Sequence, residues 1–165
     1  MNDKGQMSKV AAVRFERLLP GPIERVWDYL TKADLLPGWF GDGEIEARVG
    51  GKVSLMDGHI RGTVTQCRPP HVLSYTWNVF DPGKAVSPYP ESYLTLTLEQ
   101  QGEKVLLTLN HLPILEPFER QNAMGWHTFL DMAEAAMRGE PARPRADYMK
   151  KNAEIYGVDL NNIVR

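Results

Sequence analysis

The sequence predicts an α+β domain in which a curved antiparallel sheet wraps around one long C-terminal helix. Three observations carry that prediction. Strand-like runs follow one another with only turn signals between them. No strand–helix–strand alternation of the kind a parallel sheet needs occurs. One broad apolar stripe at helical spacing stands near the end of the chain.

The elements follow in order. Residues 1–10 are polar and aperiodic and read as a flexible tail. Ala11 to Leu19 reads as a strand, with Val13 and Phe15 on one face and Arg14 and Glu16 on the other. Pro20-Gly21-Pro22 breaks it. Pro22 suits a first helical turn, and Ile23, Val26, Trp27 and Leu30 recur at helical spacing. A second short helix, Ala33 to Leu36, is expected to stop at Pro37-Gly38. Strands are then expected over Glu44 to Val49 and Lys52 to Met56, turned by Gly50-Gly51. Asp57-Gly58 signals a hairpin into Ile60, Gly62 and Val64, because both central turn positions want positive φ. Cys67 falls on the same side as Thr63 and Thr65 and reads as an inert thiol. Val72 to Val79 alternates Leu73, Tyr75, Trp77 and Val79 with Ser74, Thr76 and Asn78. After a proline-rich loop, Ser92 to Gln100 and Lys104 to His111 form a last hairpin. The long helix begins near Pro117 and carries Trp126, Phe129, Leu130, Ala133 and Met137 on one stripe. Gly139 and Pro141 end it, and residues 140–165 form a partly helical extension that holds Tyr148, Ile155 and Tyr156.

Composition narrows the function. The chain has 165 residues, enough for one domain with a sizeable core, and 19 basic against 21 acidic residues. That balance argues against nucleic-acid binding through a broad basic surface. No apolar run is long enough to span a membrane, and the first residues lack the apolar region of a secretion signal, so a cytoplasmic protein is expected. A single cysteine excludes an intrachain disulfide. The four histidines show no metal-ligand spacing, and no phosphate loop or nucleophile elbow occurs, so neither cofactor nor metal is expected.

Four local features carry a family resemblance. They are Trp39-Phe40-Gly41, Gly50-Gly51 before a strand, Arg68-Pro69-Pro70 leading into Leu73 to Trp77, and Gly125-Trp126 opening the helical stripe. With their order, residues 11–139 resemble the helix-grip fold of the START and birch-pollen-allergen superfamily. The branch is the one named after the activator of the ninety-kilodalton heat-shock ATPase. The resemblance implies a cavity between sheet and helix that takes small apolar or amphipathic molecules. It fixes no reaction, since relatives include polyketide cyclases, lipid carriers and chaperone-associated domains.

The candidate ligand-binding residues follow from which faces look toward that space: Trp39, Phe40, Leu55, Tyr75, Trp77, Leu96, His111, Trp126, Phe129, Leu130 and Ala133. Tyr75 and Trp77 read equally as cavity wall or as core. The helix residues read first as packing. Trp39-Phe40 either caps the cavity mouth or plugs its base. Gly125 is expected to allow close packing on the sheet. His111 extends the inward alternation of Val105, Leu107 and Leu109, so it is a ligand anchor, a general base, or a rim histidine bonded to backbone. The rim reading is the plainer one, because spacing places no carboxylate beside it. His59 and Arg61 read as solvated and His127 as a flank residue. Three functions follow: binding of a small hydrophobic ligand, a cyclase- or aromatase-type enzyme using His111 and Tyr75, or a chaperone-associated interaction module. The extension is expected to dock on the protein's own body or to form a homodimer.

Overall fold

The computed structural model describes residues 3–163. Its elements are β1 (Ala11–Pro20), α1 (Ile23–Thr31), β2 (Glu44–Ile45), β3 (Lys52–Leu55), β4 (Ile60–Arg68), β5 (Val72–Val79), β6 (Ser92–Gln101), β7 (Lys104–Ile114), α2 (Glu119–Met137) and α3 (Arg145–Tyr156). Short 3-10 turns cover Leu36–Gly38 and Glu116–Phe118. The seven strands form one antiparallel sheet in the order β1-β7-β6-β5-β4-β3-β2. This is the α+β, helix-grip arrangement expected from the sequence.

Alternation fixes the register. One rung runs Val64, Tyr75, Leu94, His111 and Val13 across five strands, and all five are buried on the concave face. On α2, Trp126, Leu130, Ala133 and Met137 are buried against that face, while Phe129 is half-buried. Each large apolar side chain buried this way stabilises the fold by about 1.5–3 kcal/mol.

Four local expectations need correcting. The second strand ends at Ile45 because the chain curls up: Arg48 N–H donates to Glu46 O at 2.8 Å and Gly51 N–H to Arg48 O at 2.8 Å. The second short helix lies over Leu36–Gly38, so Pro37 and Gly38 are inside it rather than stopping it. Cys67 packs against the core. A bulge between Val64 and Gln66 shifts the alternation by one residue, and Cys67 then pairs with buried Leu73. Gly125 has open space around the position of a side chain, so no close approach to the sheet explains it. Gly62 is one of several glycines that do meet a neighbour, since any side chain there would strike the Thr76 carbonyl.

The extension docks on α2. Asn152 and Ala153 are buried, and Asn152 Nδ2 donates to Thr128 Oγ1 and Asp131 Oδ2, both at 3.1 Å. Asp131 also holds Arg17 of β1 at 2.7 Å and Lys151 at 3.4 Å, so one carboxylate ties three elements together. Burial pushes that carboxyl up, but the hydrogen bonds from Asn152 and Arg17 and the Arg17 charge outweigh it and hold it below its usual range. Tyr156 meets His127 Nδ1 at 2.8 Å through its hydroxyl, whereas Ile155 stays exposed.

Candidate ligand-binding site

A bent sheet and a straight helix diverge toward the ends of the sheet, and side chains decide which end fills. The end near Trp39 is packed solid. Phe40 stacks on Phe129 at 4.5 Å between ring centres and meets Trp126 and Trp77 edge-on at 5.7 and 6.0 Å. Trp39 meets Phe40 at 4.8 Å, and its indole N–H donates to the Tyr29 carbonyl at 2.7 Å. Both residues are buried.

The other end, beside the start of α2, stays open as a cavity of about 510 Å³. Its sheet wall comes from Ile60, Trp77, Val79, Ser92 and His111, its helix wall from Gln121 and Asn122, and the 3-10 turn before α2 adds Phe118. The β3–β4 turn supplies Met56 and His59, the β5–β6 loop supplies Asp81, Pro82, Tyr89 and Pro90, and Pro113, Ile114, Leu115 and Ile163 complete it. The β3–β4 turn has the expected chemistry: Met56, Asp57 and Gly58 all have positive φ.

One corner of the cavity is polar, and its hydrogen bonds have a defined direction. The Trp126 indole N–H, which can only donate, reaches His111 Nδ1 at 3.0 Å. Nδ1 is therefore a lone pair, and the neutral ring carries its proton on Nε2. That proton points at Ser92 Oγ, 2.8 Å away, and the Ser92 hydroxyl donates in turn to the Trp77 carbonyl at 3.3 Å. His111 is 1% exposed. Burial lowers its pKa to about 4, partly offset by a contact with Asn122 Nδ2 at 3.5 Å. A ring with its lone pair shared and its basicity reduced this far is a poor general base at neutral pH. Asn122 Oδ1, beside it, is shielded from water and has no partner.

Residues 20–138 match the family described as activator of Hsp90 ATPase homolog 1-like protein, AHSA1, which is well over half of the chain. The chain belongs to the AHSA1 family. No curated protein sequence matches it. Among solved structures, CalU16 from Micromonospora echinospora is 25% identical, with 88% of this chain and 86% of that one covered and a TM-score of 0.71. The protein encoded by gene BPP1335 from Bordetella parapertussis is 26% identical over 99% of this chain and 95% of its own, at a TM-score of 0.68. PFC0360w, an HSP90 activator from Plasmodium falciparum, is 23% identical over 80% and 99%, with a TM-score of 0.63, and shows the shared fold alone.

Of the residues singled out in the sequence, this AHSA1 family member brings Trp77 and His111 to the cavity wall. Trp39, Phe40, Leu55, Tyr75, Leu96, Trp126, Leu130 and Ala133 are buried in the core, and Phe129 packs against it. Tyr75 stacks on Trp77 at 6.4 Å, and burial raises its hydroxyl's pKa further above neutral. His111 is bonded to side chains rather than to backbone at a rim. His59 lies on the cavity wall, with Nδ1 2.9 Å from the Phe80 carbonyl, and Arg61 stacks over Phe80 at 4.3 Å. Asn122, Ser92 and Phe118 escaped sequence reading. Ser92 alone carried a signal there, since it shares the face of Leu94. Among the described residues no group of three or more His, Cys, Asp or Glu is placed to hold a metal ion, and no helix is long and apolar enough to cross a membrane.

Proposed function

We propose that the protein binds a small hydrophobic or amphipathic molecule in the cavity between β4–β7 and the start of α2, as a binding protein of the cytoplasm without turnover. The carrying observation is the cavity itself. Its volume of about 510 Å³ falls within the range of small-molecule sites, and apolar side chains make up most of its wall around one polar corner. Family membership and the likeness to CalU16 support the reading. Affinity comes from apolar area removed from water, at about 25 cal/mol per Å². The engaged lone pair of His111, and the absence of Tyr75 from the cavity lining, weigh against a cyclase-type reaction that uses these two residues.

Native mass spectrometry of the purified chain, followed by solvent extraction, tests this. A retained molecule at one per chain is expected, or saturable binding of an added apolar probe. Leu115 lies on the wall and is 42% exposed, so Leu115→Trp fills the space without disturbing the core and should abolish that binding. A clean mass together with no binding by an apolar panel would sink the reading.

A further inference from the structure

The chain beyond α3 returns to the open end of the groove, and this inference rests on the binding reading above. α3 runs antiparallel to α2. Asn152 reaches Thr128 and Asp131, Tyr156 reaches His127, and Gly157 lies beside Arg120, so numbers rise along α3 as they fall along α2. The chain therefore leaves α3 at the start of α2, where Gln121 and Asn122 form the helix wall of the cavity.

Two successive turns are built there. Gly157 ends α3 in the left-handed region, at φ 66, and the Val158 N–H donates to the Ala153 carbonyl at 2.9 Å. Asp159 turns the chain again: its Oδ1 accepts the Asn161 N–H at 2.9 Å and its carbonyl the Asn162 N–H at 3.1 Å. Asp159 to Asn162 are exposed, and the chain then comes back onto the protein at Ile163, which is half-buried and lies on the cavity wall. The bonds that Asp159 accepts lie within the turn, so they travel with it when it swings about Gly157. Such a swing takes one apolar side chain off the cavity and leaves the docking of α3 through Asn152 and Ala153 in place.

We propose that residues 158–163 form a lid hinged at Gly157, which swings aside to admit an apolar molecule and then lays Ile163 over it. Closed, the lid removes ligand surface from water and slows release. Open, it widens the entrance that Ile163 otherwise narrows.

Stopped-flow fluorescence of the full chain with N-phenyl-1-naphthylamine, a neutral probe that brightens on leaving water, gives both rate constants. Ile163→Ala removes most of the covering side chain. It should speed dissociation about tenfold and association about threefold, since binding that waits on a conformational step is slowed by it. Asp159→Ala keeps Ile163 but deletes the side-chain acceptor of the turn, and should move both rate constants in the same direction by less. Circular dichroism and Tm report that both variants keep the fold. Faster dissociation with association unchanged would make Ile163 a fixed piece of wall and overturn the lid. Wild-type rates in both variants would likewise overturn it, and in either case saturable probe binding leaves the cavity reading standing. Absence of saturable binding by wild type and variants alike would overturn both readings.

Discussion

Lowering the pH should destabilise this protein through His111, and the size of the effect follows from its burial. The folded ring has a pKa of about 4 against an ordinary 6.5. Between those values the unfolded chain binds a proton that the folded chain refuses, so stability rises with pH there. The contribution is fully present above pH 6.5 and is lost as pH falls toward 4. Worked through, it amounts to about 2 kcal/mol between neutral pH and about pH 5. The assay is urea unfolding of wild type and His111→Gln across that range, because glutamine keeps an acceptor for Trp126 and a donor for Ser92 but does not titrate. His127, also shifted down by burial, is present in both proteins and cancels in the difference. The wild-type advantage should therefore shrink by about 2 kcal/mol at about pH 5. Nitrogen chemical shifts give an independent check, with Nδ1 unprotonated and Nε2 protonated through that window. Parallel unfolding curves, or a His111 ring that titrates at its ordinary value, would refute the reasoning.

Three further outcomes are expected. Gly125→Ala meets nothing within 4 Å and removes a glycine from mid-helix, so it should stabilise by about 1 kcal/mol and raise Tm by about 2–4 °C in a thermal melt. A drop in Tm would mean that the space around it is needed. Trp39→Ala should destabilise by about 3–5 kcal/mol in urea while leaving probe affinity near wild type, because Trp39 plugs the filled end. Loss of binding comparable to that of Leu115→Trp would make it a cap instead. Truncation after Gly139 removes the partners of Thr128 and Asp131 and should lower Tm, with light scattering showing the same number of chains per particle. A change in that number would point to the extension as a subunit contact.

The fold was largely legible because its determinants are local. Alternation over Val72 to Val79 and the turn chemistry of Asp57-Gly58 each act within a few residues, and together they order the strands. The site was less legible because a cavity is where side chains are not. Which end of the groove Trp39 and Phe40 fill depends on contacts with Phe129 and Trp126, far away in the chain. The tie between Trp126 and His111 likewise belongs to no periodicity, since it joins a strand to a helix across the core. Cys67 was misplaced by a single bulge, which alternation cannot reveal. In α3, the two deeply buried residues are an asparagine and an alanine, so no apolar stripe announced its docking face.

The cavity draws on segments that the sheet does not need. Met56 and His59 sit in a turn, Asp81 to Pro90 in a loop, Leu115 and Phe118 in a connection, and Ile163 beyond the 20–138 stretch that defines the family. None of these segments contributes to the rung that runs through Tyr75 and Leu94. These parts of the cavity outline are therefore nearly separable from the strand ladder, whereas Trp77 and His111 belong to both. Exchange of a few surface residues can redraw the cavity's outline and polarity while the strand ladder stays as it is. Grafting one of these segments from a relative onto this sheet is then a practical route to a receptor with a new taste.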